Sequence, residues 1–116
     1  MTDLTPNLQF LIGEPLSSVH FVEDYVELHF NGSYIRCLTP PTVHRAGASL
    51  TFPAAGSRDA LCALIGSEVR AIRAVDGDEL RVEFSDGVLL TTSLSHETSG
   101  EHMHFHNRST KETQWW

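Results

Sequence analysis

Basic side chains are scarce in this chain. Eight Lys and Arg stand against fifteen Asp and Glu, a formal net charge of −7. That balance repels phosphate backbones and anionic membrane surfaces, so nucleic acid and membranes are not expected as partners, and a basic protein is the partner class it suits. Long apolar runs are also missing. None approaches the ~20 residues that a membrane-spanning helix needs. The opening Met1-Thr2-Asp3-Leu4-Thr5-Pro6 has neither the basic region nor the apolar segment of a secretory signal, which makes the cytoplasm the expected location. Cysteine is reduced to Cys37 and Cys62, fewer than a disulfide-stapled secreted domain uses; both are expected as reduced, mostly buried thiols.

Catalytic signatures are absent too. There is no Gly-x-Ser-x-Gly elbow and no glycine-rich phosphate loop. His96-Glu97 begins a zincin-like motif, but Gly100 stands where the second histidine belongs. Asp76-Gly77-Asp78 opens like a calcium loop without the remaining ligands.

What is present is an average globular composition, 41% hydrophobic and 20% charged over 116 residues. This is enough for a single domain, 1–116, with one core. The chain also repeats itself. Leu8, Leu11, Ile12 and Gly13 match Leu61, Leu64, Ile65 and Gly66 at an offset of 53; Val26, Leu28 and Phe30 match Leu80, Val82 and Phe84 at 54; Gly32 and Ile35 match Gly87 and Leu90 at 55. The offset grows at each turn, where an inserted residue is easiest to absorb.

Each copy opens with a short helix, capped by Thr5 or Ser57, with Leu8, Leu11 and Ile12 (or Leu61, Leu64 and Ile65) on one apolar face. A glycine follows at the helix end. The period then changes to two, with turns at Glu23-Asp24, Asn31-Gly32, Asp76-Gly77-Asp78 and Asp86-Gly87. The expected fold is α+β and mainly antiparallel β. Two short-helix plus three-stranded-meander units, about 5–38 and 57–94, are related by a pseudo-two-fold axis. A loop spans 39–56, where Ser49 to Phe52 could add an edge strand. A C-terminal strand or hairpin, with at least one packed tryptophan, lies in 95–116.

The motifs Leu64-Ile65-Gly66, Phe84-Ser85-Asp86-Gly87 and Glu101-His102 carry a resemblance that runs from Leu11 to about Phe105. In them the chain resembles a family of small uncharacterised bacterial proteins known only as a domain of unknown function. The resemblance implies no activity, substrate or catalytic residue. By analogy, some small bacterial β-rich proteins of this kind look like immunity proteins of toxin systems.

Two functional readings follow. The first is a non-enzymatic protein-interaction module, immunity-like or inhibitory, without a cofactor. Its surface is an acidic face made of Glu27 and His29 in one copy and Glu79, Arg81 and Glu83 in the other. A homodimer is compatible with it. The second is a metal-binding β-domain, open to enzymatic use, built on His102, His104 and His106, which share one face of a strand at ~6.6 Å steps. All three together span ~13 Å and cannot reach one ion without a bulge. Two of them would chelate zinc or nickel, completed by His96 or Glu101, with Glu97, His20, His29 and His44 also available.

Overall fold

Alternation of apolar and polar residues sets the strands. In β2 (Tyr25–Phe30) the side chains of Val26, Leu28 and Phe30 are buried, while Tyr25, Glu27 and His29 lie on the opposite face. Leu80, Val82 and Phe84 are buried in the same way along β7 (Glu79–Phe84). The computed structural model describes residues 2–95 and 101–116. Among these residues ten strands form two five-stranded sheets in which every pairing is antiparallel. Six belong to the two expected meanders and two to the expected C-terminal hairpin; the other two lie in segment 39–56.

The meanders themselves are as expected. β1 (Ser18–Val22), β2 and β3 (Ser33–Cys37) form one; β6 (Val69–Ala74), β7 and β8 (Leu89–Ser93) form the other. The Asn31-Gly32 turn between β2 and β3 has positive φ at both residues, 54° and 103°, as a tight type I′ hairpin turn requires. Each meander is extended by a hairpin from the other half of the chain. β4 (Thr42–Arg45) and β5 (Ala48–Thr51) follow the first meander, but β4 pairs with β8 and β5 lies outside it at the sheet edge. β9 (Met103–Asn107) and β10 (Glu112–Trp115) follow the second, but β9 pairs with β3 and β10 lies outside it. The strand orders are therefore β1-β2-β3-β9-β10 and β5-β4-β8-β7-β6.

Segment 39–56, expected as a loop that could add an edge strand at Ser49 to Phe52, is a hairpin whose second strand, Ala48–Thr51, does lie at the sheet edge. Its hairpin turns at Ala46-Gly47, both with positive φ. Alanine is costly in that conformation, so no turn signal marks the site in the sequence. In the C-terminal hairpin Trp116 stacks on Phe105 at 5.1 Å, while Trp115 is 61% exposed.

Two short helices close the core. α1 (Thr5–Leu8) runs into a 3-10 turn, Gln9–Leu11, and α2 spans Ser57–Cys62. Leu8, Leu11, Leu61 and Leu64 are fully buried. Ile12 and Ile65, expected on the same apolar face, are instead 45% and 47% exposed. The chain has left the helix by then: Ile12 is already extended, at φ −63° and ψ 128°. Thr5 and Ser57 are first helical residues rather than caps; Leu4 and Gly56 hold the cap positions and make no side-chain cap bond. The Thr5 hydroxyl instead exchanges hydrogen bonds with the backbone of Ala74.

Gly13 and Gly66, at φ 87° and 95°, carry the chain out of the helices in a conformation that suits glycine. There the two halves cross. The Gly13 N–H donates to Val69 O and the Gly66 N–H to Leu16 O, both at 2.8 Å; Leu16 N–H donates to Ser67 O and Val69 N–H to Glu14 O. One hydrophobic core draws on both sheets and both helices. Among the described residues no helix is long and apolar enough to cross a membrane.

The cysteines differ, against the expectation that both are buried. Cys37 points into the core from β3, and burial pushes its thiol up to about 12. Cys62 is exposed, because it follows Leu61 by one residue, a rotation of ~100° around the helix. Native protein treated with a thiol reagent is therefore expected to modify one cysteine quickly, Cys62 by peptide mass spectrometry, and Cys37 only after denaturation. Rapid double labelling would contradict this packing.

Candidate functional site on the outer face of the first sheet

Because Val26, Leu28, Phe30, Ile35, Cys37, Met103 and Phe105 point inward, their alternates line the outer face of the first sheet. The strand register aligns them in two rows across five strands. One is Ser18, His29, Tyr34, His106 and Thr113. The other is His20, Glu27, Arg36, His104 and Trp115.

The first row is a ladder of rings. His29 packs on Tyr34 and Tyr34 on His106, each pair with centroids 5.3 Å apart. His20 extends it from the edge strand, stacking on His29 at 3.9 Å with the rings 18° from parallel. Arg36 knits the rows together. Its guanidinium lies 5.6 Å from the Tyr25 ring centroid and 5.5 Å from that of Tyr34, and its Nε donates to Glu27 Oε2 at 2.6 Å. The other carboxylate oxygen, Oε1, is 3.0 Å from His29 Nε2.

Glu27 is half-hidden, its side chain 12% exposed. Burial raises its pKa, but the hydrogen bonds and charges of His29 and Arg36 outweigh burial and hold it below the ordinary value. Arg36 mirrors this: burial opposes its charge, the bond to Glu27 favours it more, and its pKa is raised.

The histidine strand is arranged differently from expectation. His102 precedes β9 and is 4% exposed, while His104 and His106 stand on the half-exposed outer face. His104 Nδ1 lies 3.1 Å from Arg36 Nη1. Arginine can only donate, so Nδ1 accepts and Nε2 carries the proton toward Glu101, its other partner. Both ring nitrogens of His104 are thereby engaged. His106 Nδ1 pairs with Thr113 at 2.8 Å. His44 sits on β4 in the other sheet, between Ser49 and Thr91. His96 and Glu97 lie outside the described residues. Among the described residues, the group whose donor atoms converge is His20, Glu27 and His29, all within 4.8 Å of one another.

The acidic face expected from both copies is not brought together. Glu27 and His29 lie on the first sheet, whereas Glu79, Arg81 and Glu83 lie on β7 of the second. Their carboxylates are paired as well: Glu79 with Arg81 at 2.8 Å, and Glu83 with Arg70. Sequence reasoning left His20 as a spare ligand. The signal that assigns it is the two-residue turn Glu23-Asp24, which pairs Val22 with Tyr25 and hence His20 with Glu27.

Fold and site together define a two-sheet antiparallel β-protein with a histidine- and tyrosine-lined outer face. No family model, curated protein or solved structure matches the chain.

Proposed function

We propose that this chain is a non-enzymatic protein-interaction module of the cytoplasm, inhibitory or immunity-like, which docks a basic protein through the outer face of its first sheet. We also infer that it is built from two copies of one helix–meander–hairpin unit related by a pseudo-two-fold axis. Renumbering β1 to β5 as β6 to β10, and the reverse, turns the order of one sheet into that of the other. The backbone bonds at Gly13 and Gly66 are reciprocal at the same offset of 53.

The duplication supplies the observation that carries the functional reading. Positions equivalent to Glu27, His29, Tyr34 and Arg36 hold Arg81, Glu83, Leu89 and Thr91 in the second copy, in the same cross-strand pairing. The second sheet forms without a ring ladder, so folding does not require one. Tyrosine, tryptophan and arginine in a preorganised array are the side chains that concentrate binding energy at protein interfaces. The net charge of −7 adds long-range attraction for a basic partner and speeds encounter.

The test is capture from the native cell on immobilised untagged protein, compared with Tyr34→Ala, Trp115→Ala and, on the other sheet, Arg81→Ala. A partner held through the ladder is expected to lose more than about tenfold in affinity with either ring variant, as for a hot spot worth about 2 kcal/mol, and to be retained by Arg81→Ala. Capture that is identical for all four proteins would defeat the proposal.

A further inference from the structure

We infer that His20, Glu27 and His29 form a binding site for one divalent transition-metal ion of the zinc class. The inference goes beyond the docking role and holds whether or not the face meets a partner. Two ligands come from alternate residues of β2, so they share a face; the third comes from the adjacent strand, directly opposite Glu27. Two imidazoles and one carboxylate are a set that zinc accepts while keeping a fourth position open for water or another donor.

The spacing suits the ion. Ligands bound at 2.0–2.2 Å in a tetrahedron stand about 3.3–3.6 Å apart. His29 Nε2 and Glu27 Oε1 are 3.0 Å apart, so an ion replaces that hydrogen bond with little movement of either residue. His20 has further to travel. Its ring is stacked face to face on His29, and parallel rings direct their lone pairs side by side instead of toward a common point. It must therefore turn out of the stack, so that a ring nitrogen's lone pair points at the position between Glu27 Oε1 and His29 Nε2. That motion is open to it, because His20 is exposed on the edge strand β1 and its side-chain hydrogen bond is to Ser18 Oγ, at 3.0 Å. The remaining carboxylate oxygen is fixed by Arg36 at 2.6 Å. Such an outer hydrogen bond orients a metal-binding carboxylate.

The pairing also explains why this set, and not one built on His104, is suited to metal. His104 has both nitrogens occupied by Arg36 and Glu101. Among the described residues, the side-chain hydrogen-bond partners of His20 and His29 are a hydroxyl and a carboxylate, of the kind that metal ligands retain or exchange.

The experiment is calorimetric titration of untagged, chelator-stripped full-length protein with zinc chloride. Histidine NMR spectra and thermal denaturation are recorded with and without the metal. Wild type is expected to bind one equivalent, to shift the imidazole signals of His20 and His29, and to melt at a higher temperature with zinc. His20→Ala, a change at an exposed edge position, is expected to lose at least about tenfold in affinity and the zinc-dependent rise in melting temperature. His29→Gln gives the same comparison from the other imidazole. His104→Ala and Cys62→Ser should bind as wild type does. Absence of saturable binding, retention of binding in His20→Ala and His29→Gln, or loss confined to His104→Ala or Cys62→Ser would each overturn the assignment.

Discussion

Replacing Phe84 by alanine is expected to destabilise the protein by about 3–5 kcal/mol. Phe84 ends β7, paired with Val69 of β6, and its side chain is completely buried. Its backbone closes the turn to β8: the N–H donates to Val88 O at 2.9 Å, and its carbonyl accepts from the Gly87 N–H. The main chain at this position is therefore held from both sides and cannot collapse into the space that the ring leaves. A cavity that stays open adds its own cost to the lost transfer energy. Urea denaturation should show the midpoint falling with an unchanged slope, since the unfolded chain exposes nearly the same surface. A loss under about 1 kcal/mol would mean that the ring contributes as a surface residue does.

Replacing Glu27 by alanine is expected to cost about 1.5–3 kcal/mol at neutral pH, the range for hydrogen bonds to charged groups. The carboxylate serves His29 and Arg36 together. Its removal leaves the guanidinium, 29% exposed, over two tyrosine rings without an anion. The pH dependence has a definite sign. Burial raises the Glu27 pKa, and the bonds and charges of His29 and Arg36 then bring it below the ordinary value of 4.5. A carboxylate more acidic in the folded state than in the unfolded contributes stability above the unfolded pKa, and loses it as pH falls through the folded one. The gap between wild type and Glu27→Ala should hold its full size near neutrality and close progressively below about pH 4.5. Urea curves recorded from pH 7 into the acid range measure it. A gap that stays constant to the acid limit would assign the effect to packing rather than charge. Glu27→Gln, which keeps the shape and loses the charge, should fall between the two.

Much of the architecture is local and so was legible in residue order. Alternation along 25–30 and 79–84 determined which side chains enter the core. Asn31-Gly32 determined a tight turn, and the period change after Gly13 and Gly66 marked where helix gives way to strand. His102 to His106, followed by Gln114-Trp115-Trp116, marked the last hairpin. The tertiary structure decided what depends on partners distant in sequence. Which sheet each hairpin joins is such a choice, since β4 and β9 each add to the meander of the other half. So are the exposure of Ile12 and Ile65 and the separation of the two acidic sets. The candidate site stands between the two, since its hairpin is local but its side chains meet across strands. Alternate residues along one strand stand ~6.6 Å apart, whereas directly opposed residues on neighbouring strands bring their Cβ atoms to ~4.5–5.5 Å. Reading along β9 made His102, His104 and His106 look like a set. Register across β1 and β2, set by the Glu23-Asp24 turn, joined His20 to Glu27 and His29, because the shorter distances in a sheet run between strands and not along one.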